Sequence, residues 1–334
     1  MLKFIAQAQM MFRTELHPEP SQEKISLQQG VLSVGSCFAE VIGKRLMVNK
    51  FKAMVNPFGT IYNPASIFRL IHDSINAYMP SEDSYLSRQD LHFNFKFHSD
   101  FAASSRESLK AQLAHTLLST REHLRNAEWV IITLGTAFVY ERQDNGRIVA
   151  NCHKLPTSYF QKRLLDPGEI LTRFEQLYFA MNAFNPRTRF IFTLSPVRHL
   201  RDTLVQNSVS KAALRLAIEM IRKQFSEKVQ YFPSYEIMMD DLRDYRFYAP
   251  DLIHPNEVAE NFIWEKWVET FVDDQAIEFM AKWEKVHKAM SHRPFQPKSE
   301  EHQKFVQKTI ELLQHLSKVV DVSQELKKMK KQLK

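Results

Sequence analysis

Short apolar runs that stop at a turn and give way to a helical pattern are the feature that most constrains this chain. Val31–Val34 stops at Gly35, Phe51–Val55 at Asn56-Pro57, Trp129–Leu134 at Gly135, and Arg189–Leu194 at Ser195-Pro196. Val229–Phe232 reads as a fifth, short strand. Continuous apolar runs of this length fit strands buried on both faces. Helical spacing fills the intervals at Phe38–Met47, Pro64–Tyr78, Ser105–Asn126, Pro167–Phe184, Thr203–Phe225 and Pro255–Phe271, the last with proline placed in its first turn. Strand and helix in alternation predict an α/β fold, a mainly parallel sheet with helices on both faces.

Two segments depart from that rhythm. Leu91–Phe97 alternates Leu, Phe, Phe, Phe against His92, Asn94 and Lys96, which predicts a half-exposed strand. Phe138–Arg142 and Arg147–Asn151 flank Asp144-Asn145-Gly146, which predicts an inserted β-hairpin. The α/β unit is expected over residues 1–272. From Asp273 the pattern is helical, interrupted at Ser291–Pro297, so residues 273–334 are expected to form a C-terminal helical appendage. Leu312, Leu316, Val319, Leu326 and Leu333 approach heptad spacing, but Ser323 and Lys330 break it. A packing helix is expected there rather than a coiled coil.

Composition removes several function classes. With 25% charged residues in 334, the chain has the make-up of a folded protein. No apolar run is long enough to span a bilayer. Leu2, Phe4, Ile5 and Met10–Phe12 are interrupted by Gln7 and Gln9, with no small-residue cleavage site after them, so no signal peptide is read. Two cysteines exclude a disulfide scaffold. The net charge of +7 has a local source: Lys318–Lys334 carries six lysines and two acids. A solvated basic tail accounts for it, and neither a nucleic-acid nor a membrane partner is expected. The expected location is the cytoplasm, and the oligomeric state is left open.

Only seven glycines occur, so a chain this sparing keeps them where the backbone requires them. Gly35, Gly59 and Gly135 fall at the carboxyl ends of predicted strands, where open parallel sheets bind ligands. Gly35 is followed by Ser36-Cys37 and then a helix. A nucleophile there faces helix N–H groups that favour an anion, lower a thiol pKa and can donate to an oxyanion. Asp251-Leu252-Ile253-His254 supplies the matching base: the carboxylate can hold one ring nitrogen and turn the other outward.

These residues resemble a known family. Gly35-Ser36-Cys37-Phe38-Ala39 is similar to the namesake motif of the GSCFA family, within the SGNH/GDSL hydrolase superfamily. Asn56–Pro64, Thr133–Ala137, Asn151–Lys154, Thr193–Val197 and Asp251–His254 resemble further family blocks. The resemblance implies a flavodoxin-like three-layer α/β/α sandwich and an acyl-ester hydrolase acting on an acylated small molecule or carbohydrate. An acyltransferase and a non-catalytic binding module are the alternatives. It implies a Cys37 or Ser36 nucleophile with His254 and Asp251. Counted from glycine, Cys37 holds the nucleophile position, and a one-residue shift gives Ser36. The superfamily usually places an oxyanion-donating Asn where this chain has Ala137. Asn56 and Asn63, or backbone N–H groups near Cys37, Gly59 and Gly135, are the candidate donors. His153, His98 and Arg198 are candidates for binding a substrate anion or lining the cleft.

Cys37, Cys152, His153 and His254 have ligand chemistry for a metal, but their spacing gives no independent support, and no metal is assigned. Neither Gly-x-Gly-x-x-Gly, Gly-x-Ser-x-Gly nor His-Glu-x-x-His occurs, and no cofactor is expected. Seven residues separate Gly35 from Gly43-Lys44 where a phosphate loop requires four, which argues against nucleotide hydrolysis.

Overall fold

The computed structural model describes residues 13–292, 294–297 and 299–333. The apolar residues from Leu2 to Phe12 and the last lysine, Lys334, lie outside the described residues. In chain order, β1 (Gly30–Gly35) leads through α1 (Cys37–Val48) to β2 (Lys52–Val55) and α2 (Pro64–Asn76). A hairpin of β3 (Tyr85–Arg88) and β4 (Leu91–Asn94) precedes α3 (Arg106–Asn126) and β5 (Ala127–Leu134). β6 (Phe138–Arg142), β7 (Ile148–Val149) and β8 (Phe160–Leu164) form a separate small sheet. Then come α4 (Pro167–Phe184), β9 (Arg189–Leu194), α5 (Thr203–Gln224), β10 (Val229–Phe232) and the short α6 (Ser234–Glu236). α7 (Glu257–Phe271), α8 (Asp274–Ser291), α9 (Glu300–Leu316) and α10 (Ser323–Lys330) complete the chain.

The central sheet has the order β10-β9-β5-β1-β2, all parallel. The chain fills the two sides of the sheet in opposite directions from β1, so the order reverses between β1 and β5. That is the flavodoxin-like arrangement, and its ligand crevice opens at this reversal.

Alternation along each strand builds two cores. Leu32, Val34, Val130, Ile132, Phe190 and Phe192 point into an apolar cluster with α2, α3, α4 and α5. Val31, Trp129, Ile131 and Ile191 point the other way, into a cluster with α1, α7, α8 and α9. The result is a three-layer sandwich. The C-terminal helices contribute Phe279, Trp283, Val286, Val306, Ile310 and Leu313 to that second cluster. They are anchored by polar contacts too, since the Trp283 indole donates to the Val48 carbonyl at 2.8 Å.

Three local expectations change. The alternating strand ends at Asn94, because the Asn94 side chain is buried under the hairpin and bonds Ser84 Oγ at 2.8 Å. It pairs with β3, which sequence alternation did not reveal. The inserted hairpin gains a third strand, β8, paired to β6. Pro255 precedes α7 rather than opening it: Asn256 caps the helix through Ala259 N–H, and Pro255 bridges Tyr248.

Candidate active site

The edge at which Cys37 stands is shaped by Gly35. Its φ of +136° is one that other residues rarely adopt, and a Cβ there would lie 2.1 Å from the Thr133 carbonyl oxygen. Only glycine lets β1 approach β5 this closely while turning into α1. Ser36 is the N-cap of α1, 1% exposed, with its hydroxyl accepting from Phe38 N–H at 3.3 Å. Cys37 is therefore the first helical residue, where the N–H has no acceptor within the helix.

The second turn arrives from the far end of the domain. Asp251 Oδ1 accepts from the backbone N–H of Ile253 at 2.9 Å and of His254 at 3.0 Å. The His254 Nδ1–H donates to Asp251 Oδ2 at 2.6 Å. One carboxylate thus shapes the turn and sets the ring. The two backbone N–H groups and then the ring hold its pKa down at about 2. With Nδ1 donating, Nε2 carries the lone pair, and it lies 3.8 Å from Cys37 Sγ. Burial pushes the Cys37 thiol pKa up, opposed by the N–H groups of Phe38 and Cys37 itself.

The candidate oxyanion donors separate into occupied and available groups. The Gly59 N–H is given to the Asn56 carbonyl at 2.9 Å, and the Gly135 N–H to the Tyr62 carbonyl at 2.9 Å. Asn63 caps α2, accepting from Ser66 N–H at 2.8 Å. The N–H of Ala137 goes to Ser210 Oγ at 2.8 Å. Asn56 is different. Its Oδ1 accepts from Gly35 N–H at 2.9 Å, while its buried Nδ2 has no partner among the described residues.

Of the remaining candidates, Arg198 lies beside the Asp251–His254 loop, donating to Tyr248 Oη at 3.2 Å. His98 packs against Gly59 and pairs with Asp100 at 3.1 Å. His153 is buried with Phe93 and Phe95, its Nε2 2.9 Å from the Asn94 carbonyl. It therefore fixes the β3–β4 hairpin. Among the described residues no group of three or more His, Cys, Asp or Glu side chains is placed to hold a metal ion.

Three residues at this edge escaped the sequence reading. Tyr62 and His199 cross edge to face at 4.9 Å, and both crowd the space where a Gly135 Cβ would stand. Burial, with help from Lys211, pushes the His199 pKa down to about 4, so its ring is neutral at ordinary pH. Lys211 reaches the same edge from α5. The available signal was the stripe of Asn207, Ser210 and Lys211, polar residues set on the buried face of an otherwise apolar helix side.

Residues 30–267, which include Gly35, Cys37, Asp251 and His254, match the GSCFA family. The chain belongs to the GSCFA family. Residues 283–334 of this GSCFA protein match the C-terminal domain described for GSCFA domain proteins. No curated protein matches the chain. Among solved structures, an acetyl xylan esterase (Est2A) from the rumen bacterium Butyrivibrio proteoclasticus is similar at 14% identity and a TM-score of 0.25. That similarity covers 43% of this GSCFA chain and 36% of the esterase, so the chain spans about a third of the esterase's length. Among the described residues no helix is long and apolar enough to cross a membrane.

Proposed function

We propose that this GSCFA protein is an SGNH-like enzyme that cleaves an acyl ester, with Cys37 as nucleophile, His254 as base and Asp251 as its orienting partner. What supports this reading is the unbroken run of contacts from Asp251 Oδ2 through the His254 ring to Cys37 Sγ. Ser36 is excluded from attack in this proposal because its hydroxyl is buried in the helix cap.

The thiol proton passes to His254 Nε2 as sulfur bonds to the ester carbonyl carbon. Negative charge moves to the carbonyl oxygen, which accepts from Cys37 N–H and from Asn56 Nδ2, a buried donor that has no partner among the described residues. Collapse breaks the carbon–oxygen ester bond, and His254 returns the proton to the departing alcohol. Water, activated by the same imidazole, then attacks the thioester and releases the acid and the Cys37 thiol. An alcohol in place of that water makes the enzyme an acyltransferase. The substrate class is an acylated small molecule or carbohydrate.

The test is incubation with p-nitrophenyl acetate followed by mass mapping, on wild type and on Cys37→Ala, Ser36→Ala and His254→Ala. An acyl adduct on Cys37 that persists in Ser36→Ala and disappears in His254→Ala is the expected result. A folded wild-type protein that acylates neither Cys37 nor Ser36 is a binding module on this scaffold, and the proposal fails.

A further inference from the structure

A cation sits beneath the reactive edge without a role in the chemistry above. Lys211 is 3% exposed, in the buried stripe of α5 with Leu214, Ile218 and Ile221. Its ammonium donates to the Ser195 carbonyl at 2.7 Å and lies 5.7 Å from the Tyr235 ring centroid. The ionisable groups acting on it most strongly are the Cys37 thiol and the Arg198 guanidinium, and no carboxylate is among them. A buried cation without a carboxylate is strongly unfavourable unless something nearby carries negative charge.

Backbone geometry says what that something is. Ser36 N–H bonds to the Thr133 carbonyl at 3.0 Å, and Ser195 N–H bonds to the Leu134 carbonyl at 2.9 Å, from opposite sides of β5. Cys37 and Ser195 therefore flank the turn at Gly135. With strands about 5 Å apart, the ammonium on Ser195 is roughly 10 Å across the edge from the start of α1. Gly135 has no side chain of its own there, and the Tyr62 and His199 rings pack over it.

We propose that Lys211 is an electrostatic positioning residue for Cys37, its buried ammonium favouring the negative charge that forms first on the sulfur and then on the oxyanion. This rests on the assignment of Cys37 as nucleophile. Burial pushes the ammonium pKa down to about 7 even against the opposing pull of the Cys37 sulfur, and the ammonium in turn favours negative charge on that sulfur. The remaining groups around the sulfur are Glu40 on α1, Tyr62 and His254; Glu40 opposes a thiolate. Around Lys211 they are Arg198, His199 and Tyr235.

The experiment measures the rate of iodoacetamide alkylation at Cys37 against pH, read by mass mapping. Cys152 serves as the internal reference, its thiol pushed up to about 11 by burial. Wild type is compared with Lys211→Met, Lys211→Gln and Lys211→Arg, each also in a His254→Gln background. The midpoint is expected to rise by about one pH unit in the Met and Gln variants and to return in the Arg variant, with or without His254. Lys211→Gln retains a donor for Ser195, so a purely structural lysine would leave its profile at wild type, and Gln decides the matter if Met fails to fold. Met or Gln profiles that superimpose on wild type overturn the proposal, as does a shift that vanishes without His254. Because iodoacetamide requires no ester chemistry, a wild type that takes no acyl group would sink the esterase reading and leave this result standing or falling by itself.

Discussion

Cys37 Sγ stands 3.8 Å from His254 Nε2, although 217 positions separate the two residues in the chain. Each end of that contact is fixed by its own local device. On one side the Ser36 cap and the Gly35 turn present the thiol at the start of α1. On the other, three N–H groups converge on one carboxylate and hold the imidazole from behind. The sheet has only to bring two preset turns to the same rim.

Asp251→Asn separates the two jobs of that carboxylate. The amide oxygen still accepts from Ile253 and His254 N–H, so the turn persists, with a melting temperature lowered only by the loss of the carboxylate charge. Its NH2 faces Nδ1 and forces the proton onto Nε2, the tautomer that cannot accept from sulfur. Ester turnover is expected to fall roughly a thousandfold or more, measured as kcat/KM beside a thermal melt. The pH sign follows from the carboxylate held at about 2. A depressed carboxylate stabilises the folded turn fully above the ordinary range near pH 4, and that contribution is lost as pH falls toward about 2. Acid loss of the Asp251–His254 contact, followed by NMR of the ring, is expected only below about pH 4.

Ser36→Ala tests the cap against the nucleophile. Loss of the side-chain bond to Phe38 N–H is expected to destabilise the protein by about 1 kcal/mol in denaturant unfolding. The adduct on Cys37 is expected to remain. A variant of unchanged stability that loses all acylation would make Ser36 the attacking group.

The fold was readable because strand burial and helix amphipathicity repeat along the sequence. Gly35, Asp251 and His254 were readable because their roles are local: one backbone conformation, one turn of four residues. The hairpin was misjudged at Asn94 because alternation predicts which side a residue takes, not that the polar side becomes buried by another segment. Gly59 and Gly135 looked like donors for a similar reason. Their positions at strand ends are visible in sequence, while the carbonyls of Asn56 and Tyr62 that take their N–H groups are not. Lys211 is legible only as an anomaly, a lysine on the buried stripe of α5, until the sheet order brings it to the same edge as Cys37.

Asn56→Gly removes a side chain that both clamps Gly35 and offers the unpaired Nδ2. The native φ of +41° suits glycine, so the substitution adds no backbone strain. Loss of one oxyanion donor typically lowers the rate about 100- to 1000-fold. The expected outcome is that drop in kcat with iodoacetamide alkylation of Cys37 nearly unchanged, because alkylation builds no oxyanion. Equal losses in both reactions would instead mean that Asn56 only positions the β1 turn.

Trp283→Ala tests whether the C-terminal helices belong to the body that carries the site. The Trp283 ring is buried, stacked on Phe279 at 5.9 Å and covered by the Lys50 ammonium at 5.0 Å, while its N–H holds the end of α1 at Val48. Cutting it to alanine leaves a cavity and an unpaired carbonyl, a loss of about 3–5 kcal/mol. Since α1 begins at Cys37 and ends at Val48, strain at its far end reaches the nucleophile through a single rigid element. One cooperative transition with a lowered midpoint is expected in denaturant unfolding, followed by both tryptophan fluorescence and Cys37 alkylation. Two transitions, with Cys37 still protected after the first, would show α8–α10 unfolding apart from the sheet.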